Sequence, residues 1–125
     1  VVASLTQAGR APDVVLMDLR MPLGDGITAA DGMEQPVYYW DPVIGPSGMA
    51  VYSGKSFPGW AGNVLVGGLV SKSVVRLELA DGRVTGEEHL PIGARVRDVI
   101  EGRDGFVYVL TDEDNGRLIR IAPKA

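Results

Sequence analysis

Residues 95–123 read RVRDVIEGRDGFVYVLTDEDNGRLIRIAP. This stretch contains three short apolar runs, VRDVI, FVYVL and RLIRIA, separated by turn residues that include the pairs Asp104-Gly105 and Asn115-Gly116. Apolar runs of this length, broken by Asp-Gly and Asn-Gly, are typical of antiparallel strands joined by tight turns. The stretch therefore predicts three consecutive β-strands.

The same pattern occurs about 43 residues earlier in the chain. There NVLVGGL corresponds to GFVYVLT, and SVVRLEL corresponds to RLIRIA. GMAVY precedes this earlier copy, and RVTGEEHL follows it after an Asp81-Gly82 turn. A period in the forties built from consecutive strands indicates the blade of a β-propeller. We predict one four-stranded blade and three strands of a second, whose fourth strand would be DVVLMDL or, failing that, PVYYW.

Composition and charge narrow the class of protein further. The chain has 125 residues, 17 glycines and eight prolines, which favours a single domain with many turns. Its net charge of −4 gives no electrostatic reason to expect a nucleic acid as partner. No apolar run reaches the roughly 20 residues of a membrane helix, so we expect no membrane partner. The absence of cysteine excludes disulfides and thiolate metal sites and leaves the compartment open.

The first 30 residues differ in character from the rest. VVASLTQAGR places apolar residues at a spacing that predicts a short amphipathic helix ending at Gly9. The run Val14 to Met17 is apolar on both faces, which is typical of a strand in a parallel sheet. A segment rich in Gly, Ala and Asp follows. We therefore divide the chain into a helix–strand segment, 1–30, and a mainly β segment of propeller blades, 31–125.

Residues 36–124 resemble the C-terminal part of the PQQ-dependent aldose sugar dehydrogenases, the glucose/sorbosone dehydrogenase family. The matching text is QPVYYWDPVIGPSGMAVYSG, NVLVGGL, VVRLEL and ARVRDVIEGRDGFVYVLTDEDNGRLIRI, in the family's order and spacing. The resemblance implies a six-bladed propeller that oxidises aldoses with PQQ and calcium at the end of its central channel. The match covers fewer than two of those blades.

The resemblance also implies candidate cofactor-binding residues. Arg95 and Arg97 match the arginines that hold the PQQ carboxylates, and Trp40, with Tyr39, matches the aromatic wall over the cofactor. Two arginines at i and i+2 point to the same face of a strand and can fork onto carboxylates. The alternative for Trp40 is a core or interface residue. The alternative for the arginines is ion pairing with a nearby carboxylate, that of Asp98, Glu101 or Glu113.

Catalysis is where this chain departs from the family. The family's general base is a histidine in an earlier blade, and a sugar hydroxyl does not lose its proton unaided. The one histidine here, His89, is expected to be solvated or structural. Val43 and Val70 stand near positions where family members have a threonine and a lysine that contact PQQ. The catalytic residues are therefore unknown, and we expect the parental sugar oxidation to be lost.

Residues 1–30 resemble the middle of a response-regulator receiver domain. PDVVLMDLRMPLGDGITA carries the pattern D-x-x-M-P-x-x-D-G, in which Asp18 matches the phosphoacceptor aspartate. The receiver's acidic pair for magnesium and its later Thr/Ser and Lys are not in this chain, so we expect Asp18 to be inactive. The two resemblances together predict a chimera. They leave its location open between the periplasm, usual for the dehydrogenases, and the cytoplasm, usual for receivers.

One acidic cluster is a candidate metal site. TDEDNG places Asp112, Glu113 and Asp114 in succession, and oxygen-rich loops followed by glycine can bind calcium. The alternative is a hairpin turn, where Asp and Asn are favoured without any metal.

Assembly follows from the repeat. Propeller blades cannot bury their apolar faces alone and need neighbours, so we predict self-association. Three chains per ring would restore six blades and surround the channel with arginines, and a strand-swapped dimer is the second candidate. The predicted function is thus a self-assembling propeller fragment. The alternative is an enzyme, either a residual PQQ-dependent aldose oxidoreductase or a metal-assisted phosphoester or lactone hydrolase at an acidic site.

Overall fold

The structure is a computed structural model that describes residues 2–5, 14–17 and 38–124. These residues form strands in three antiparallel sheets and a single 3-10 turn, Pro58–Trp60. In this part of the chain no helix is long and apolar enough to cross a membrane. The strands are β1 (Val2–Leu5), β2 (Val14–Met17), β3 (Pro46–Val51), β4 (Val64–Gly68), β5 (Ser73–Ala80), β6 (Arg83–Pro91), β7 (Val96–Glu101), β8 (Val107–Thr111) and β9 (Leu118–Ile121).

The predicted strands from GMAVY to RLIRIA are confirmed. Strands β3, β4, β5 and β6 form one four-stranded antiparallel sheet in chain order, here called the first sheet. Strands β7, β8 and β9 form a three-stranded antiparallel sheet, the second sheet. Strand β7 corresponds to β3, β8 to β4 and β9 to β5, so the sequence repeat is a structural repeat.

The predicted N-terminal helix is wrong. Residues Val2–Leu5 form β1, which pairs antiparallel with β2 and places Val2 opposite Met17. A helix of two or three turns is marginal in water, whereas valine favours a strand that has a pairing partner. The prediction that β2 belongs to a parallel sheet is also wrong. In the described residues its partner is β1, and the two strands are antiparallel.

The predicted fourth strand of the second sheet is also corrected. Strand β2, from DVVLMDL, pairs with β1 and not with β9. In the second candidate, PVYYW, residues 38–40 are not in a strand, and residues 36–37 lie outside the described residues. The free edge of β9 therefore has no strand beside it in the described part of the chain.

Apolar side chains of alternating strand positions form two cores. One core lies on one face of the first sheet, which is covered by the segment that leads into β3; its buried residues are Trp40, Ile44, Val64, Val66, Val75 and Leu77. The other core lies between the two sheets and consists of Tyr52, Leu65, Val74, Val96, Val99, Val107 and Val109. Because residues of both sheets share the second core, the sheets are packed face to face as successive blades.

Glycine and serine let the two sheets approach closely at β3 and β7. The Ser47 hydroxyl donates a hydrogen bond to the Val96 carbonyl at 2.7 Å. A Cβ atom on Gly48 would lie 2.9 Å from the Cα atom of Asp98, a distance that side chains do not adopt. Both β3 and β7 carry a bulge near their starts, which re-aims the backbone at the same place in each repeat.

A loop after β3 fastens the opposite end of the two sheets. The buried Tyr52 hydroxyl donates to the Gly105 carbonyl at 2.6 Å and accepts from the backbone N–H groups of Ser56 and Phe57. The Lys55 ammonium donates to the Arg103 carbonyl at 2.6 Å. The β7–β8 turn is therefore held directly by the first sheet's loop.

The β5–β6 turn has the geometry that its sequence predicts. Asp81 and Gly82 both have positive φ, 52° and 74°, as the two central residues of a type I′ hairpin turn require. Gly105 also has a positive φ of 83°, in the β7–β8 turn. These glycines relieve the strain that a side chain would meet in that region.

Candidate functional site

The candidate site is built around the arginine pair at the start of β7. Arg95 immediately precedes the strand, and Arg97 lies at its bulge. The Arg95 Nε atom is 3.2 Å from Asp112 Oδ2, and the Arg97 Nη2 atom is 3.0 Å from the same oxygen. The Asp112 N–H also donates to the Arg95 carbonyl at 2.7 Å, which fixes the carboxylate beside both guanidinium groups.

The pair retains unused positive charge. Hydrogen bonding by Arg95, with the nearby charge of Arg97, holds the pKa of Asp112 below its usual range, so this carboxylate is ionised. One carboxylate then faces two guanidinium groups, leaving a net charge of +1. The Arg95 and Arg97 side chains are 49% and 53% exposed. Each guanidinium has five N–H donors, so most donors of the pair remain available for a second anion.

The expected alternative partners of the arginines are engaged elsewhere. Asp98 accepts from the backbone N–H of Val99, and Glu101 accepts from Ser53. Glu113 pairs with Arg117 at 3.0 Å. The arginines do form an ion pair, but with Asp112, which the β8–β9 loop places opposite them.

Two carboxylates of the β8–β9 loop pair with different arginines. Asp112 faces the β7 arginines, whereas Glu113 faces Arg117. Among the residues that the structure describes, no group of three or more His, Cys, Asp or Glu side chains is arranged to hold a metal ion. The metal site at Asp112, Glu113 and Asp114 stays a prediction. The match of Asp18 to an inactive phosphoacceptor aspartate also stays a prediction, and Asp18 lies outside the described residues.

The start of β3 lies at the same end of the two sheets as the arginine pair. The Ser47 hydrogen bond to Val96 joins the beginning of β3 to the beginning of β7. The Ile44 carbonyl, just before β3, accepts from the N–H of Val70 at 2.8 Å in the β4–β5 turn. Val43 and Val70 therefore stand at this end, and neither can offer the polar contact expected there from the resemblance.

Trp40 is a core residue in this structure. It is 6% exposed, packs against Ile44 and the first sheet, and meets the Tyr38 ring edge-on. Its indole nitrogen is buried and has no hydrogen-bond partner in the described residues. Tyr39, by contrast, is exposed. Of the two aromatic residues matched to the cofactor wall, only Tyr39 is exposed to solvent.

A second polar cluster was not anticipated from the sequence. The Tyr38 hydroxyl donates to Glu87 Oε1, and the His89 ring nitrogen Nε2 lies against Glu87 Oε2. These residues line a cleft of about 560 Å³ that also contains Trp40 and Val70. No local pattern could have revealed the cluster, because Tyr38 and Glu87 are 49 residues apart in sequence.

The cluster has a defined charge state. Partial burial of Glu87 opposes its ionisation, but hydrogen bonds from Tyr38 and His89 outweigh burial and hold its pKa below the usual value. The same bond to Glu87 raises the pKa of Tyr38 to about 12. At neutral pH the cluster is therefore a carboxylate held by a neutral phenol, on the outermost strand of the first sheet.

A four-stranded antiparallel meander followed by a second sheet that repeats its first three strands is the architecture of successive β-propeller blades. The family model described as Glucose / Sorbosone dehydrogenase matches residues 18–120. The chain belongs to this family. The match begins inside the segment 1–30 that resembles a receiver, and the division of the chain at that point stays a prediction.

Curated relatives and solved structures agree with this assignment. The chain is 43% identical over 95 residues to an uncharacterized protein of Synechocystis sp. and 40% identical over 95 residues to the aldose sugar dehydrogenase of Escherichia coli. These alignments include 75% and 74% of this chain. They span only 23% of the Synechocystis protein and 26% of the Escherichia coli protein. A glucose dehydrogenase structure superimposes with a TM-score of 0.70 at 42% identity, over 75% of this chain and 30% of that one. The soluble aldose sugar dehydrogenase of Escherichia coli, in its apo form, gives a TM-score of 0.69 at 40% identity, over 74% and 27%.

Proposed function

We propose that this chain supplies the part of a PQQ-dependent sugar dehydrogenase site that binds the carboxylates of the cofactor. We also propose that its 125 residues alone do not oxidise aldoses. The observation that carries the proposal is the exposed pair Arg95 and Arg97 over one carboxylate, at one end of the two sheets. We further propose that residues 1–30 derive from a receiver domain, which makes the chain a chimera.

The residues present fit an anionic cofactor in part. PQQ is a tricarboxylate, and the free N–H donors of Arg95 and Arg97 suit planar, bidentate recognition of a carboxylate. The aromatic contact fits less well, because Trp40 is committed to the core and only Tyr39 is exposed. When bound, PQQ would accept a hydride from the sugar. In this chain the arginines would bind and orient it by charge, with little stacking.

The absence of a placed base supports the second half of the proposal. Sugar oxidation requires a group that takes the hydroxyl proton at the reacting carbon. The single histidine, His89, lies on β6 and is hydrogen bonded to Glu87, whereas the arginine pair lies at the start of β7. The Asp112 carboxylate is held ionised between two guanidinium groups, which makes it a weak proton acceptor. The alternative of a metal-assisted hydrolase has no supporting contact in the described residues.

Titration with PQQ, followed by its absorbance and by equilibrium dialysis, tests the binding. We expect saturable binding to the wild-type chain and a loss of about tenfold or more in affinity for Arg97→Gln, because one charge-assisted donor pair is removed. Arg117→Gln is the matched control, since Arg117 is as exposed as Arg97 but pairs with Glu113 and not with Asp112. Equal losses in both variants, or no saturation, would show that the arginine pair is not the site.

An activity assay tests the second half. With PQQ, calcium, glucose and a dye acceptor present, we expect no dye reduction above the rate of free PQQ. Sustained reduction that disappears in Arg97→Gln would contradict the proposed loss of sugar oxidation while leaving the binding site in place.

A further inference from the structure

The second sheet has one covered face and one uncovered face. Val99, Val107 and Val109 point into the core between the sheets. The opposite side, here called the outer face, presents Ile100, Tyr108, Leu110 and Leu118. Ile100 is 53% exposed and Leu118 is 69% exposed. Apolar residues on adjacent strands form a contiguous patch of the kind that marks an interface.

The internal repeat shows what covers such a face. Strand pairing places Leu65 beside Arg76 in the first sheet and Tyr108 beside Arg120 in the second. It places Gly67 beside Val74, and Leu110 beside Leu118, at the next equivalent positions. In the first sheet, Leu65 and Val74 are fully buried, because the second sheet packs on them. The outer face is therefore the repeat of a face that a neighbouring sheet covers.

We propose that the outer face binds a second copy of this chain. The surface of that copy that fits is the far side of its first sheet, which presents Tyr39 of the segment before β3 and Val70 of the β4–β5 turn; we call this the Tyr39 surface. Both residues are exposed and lie on the cleft beside Glu87. Each copy then offers two different surfaces, so the contact is head-to-tail and can close into a ring.

The charges at the two surfaces favour this arrangement. The outer face carries Arg103 and Arg120. Its carboxylate Asp104 is hydrogen bonded to Tyr108, and that of Asp98, opposite Leu110, is hydrogen bonded to the Val99 N–H. The Tyr39 surface carries the carboxylates of Asp41 and Glu87. Docking unlike surfaces brings opposite charges together, whereas docking two outer faces on each other would bring arginines together.

Light scattering on the whole chain, without cofactor, tests the inference independently of the proposed function. Three copies of a 13.3 kDa chain would give about 40 kDa. Leu118→Lys places a charge in the outer face, and Val70→Lys places one in the Tyr39 surface. We expect each variant alone to be monomeric, because every contact in a ring of identical variants is broken. Thr85→Lys, on the exposed part of β6, is the matched control and keeps the wild-type mass.

Mixing the two variants gives the sharper result. The intact Tyr39 surface of the Leu118→Lys chain can still bind the intact outer face of the Val70→Lys chain, so the mixture should form dimers of about 27 kDa. Far-UV circular dichroism must stay at the wild-type signal. Ile100→Lys replaces Leu118→Lys if the latter variant fails to fold.

Three results would overturn the inference. A monomeric wild-type chain at every concentration excludes the contact altogether. A dimeric wild type that survives Leu118→Lys excludes the outer face and favours strand exchange. A wild-type mass retained by Val70→Lys but lost in Leu118→Lys excludes the head-to-tail contact and indicates two outer faces packed on each other.

Discussion

At the scale of single residues, Glu87 shows how distant sequence positions combine into one unit. It accepts hydrogen bonds from Tyr38, before the first sheet, and from His89, two positions away on β6. Tyr38 can donate a hydrogen bond only while its phenol is neutral, and Glu87 accepts more strongly when its carboxylate is ionised than when it is protonated. Each group therefore stabilises one protonation state of the other.

The first prediction concerns the ionisation of Tyr38, measured by the absorbance of phenolate at about 295 nm in an alkaline titration. An ordinary tyrosine ionises near pH 10. Tyr38 should ionise with a midpoint of about 12. Its raised pKa means that its contribution to stability is full below about pH 10 and is lost as the pH rises towards 12. The lowered pKa of Glu87 means that its contribution is full above about pH 4.5 and is lost on acidification.

Tyr38→Phe should remove the ionisation step near pH 12. Its free energy of unfolding should fall most, relative to the wild-type chain, between about pH 4.5 and about pH 10. Tyr39→Phe is the control for stability, because Tyr39 is exposed and its loss of a hydroxyl should leave the free energy of unfolding unchanged. A late step that persists in Tyr38→Phe would assign it to another tyrosine, such as Tyr108, whose pKa its bond to Asp104 also raises.

Sequence reasoning reached only part of the site. It placed Arg95 and Arg97 on one side of a strand, because positions i and i+2 share a face. Their partner Asp112 depends on how the β8–β9 loop folds back on the start of β7, which no local pattern specifies. Trp40 was matched to a cofactor wall but is buried, because a large apolar ring before β3 covers the first sheet.

At the scale of secondary-structure elements, the strands of the two sheets were predictable and the N-terminal pair was not. From β3 to β9, apolar runs are separated by turn residues. Asp81 and Gly82, for example, have the positive φ angles that the predicted hairpin turn requires. In Val2–Leu5 the apolar spacing suited a helix, but the segment is too short for spacing to decide. Pairing with β2 decided it instead, and pairing is a long-range property.

The second prediction concerns the close approach of β3 and β7. Gly48→Ala adds a Cβ atom at 2.9 Å from the backbone of Asp98, so one strand must move away from the other. We expect the free energy of unfolding to fall by about 1–3 kcal/mol in urea denaturation. Gly59→Ala is the control, since a Cβ atom there meets nothing within 4 Å. Equal stability of the two variants would show that the sheets do not touch at Gly48.

At the scale of the whole molecule, the shared core makes the two sheets one cooperative unit. Residues of the first sheet, such as Leu65 and Val74, pack directly against Val107 and Val109 of the second. Loss of the second sheet would expose the first sheet's face to water. The sheets should therefore unfold together and not one after the other.

The third prediction tests this cooperativity with Val109→Ala. Two buried methyl groups are lost, which should cost about 2 kcal/mol. Trp40 lies in the core on the far face of the first sheet, whereas Trp60 packs against the core that the two sheets share. The variant is therefore made in a Trp60→Phe background, in which Trp40 alone reports on the first sheet. The shift in midpoint should be the same by tryptophan fluorescence and by far-UV circular dichroism. A fluorescence transition that stays at the wild-type midpoint would mean that the sheets unfold separately.

The hydroxyl of Tyr52 connects the turn at Gly105 to the loop after β3 through three bonds to main-chain groups. A main-chain carbonyl or N–H is present whatever the side chain, so the bonds specify the shape of both segments but few of their amino acids. Among homologous chains, insertions or deletions in 53–57 should therefore be accompanied by compensating length changes in 102–105. The side chains at the remaining positions of both segments are then left to drift independently.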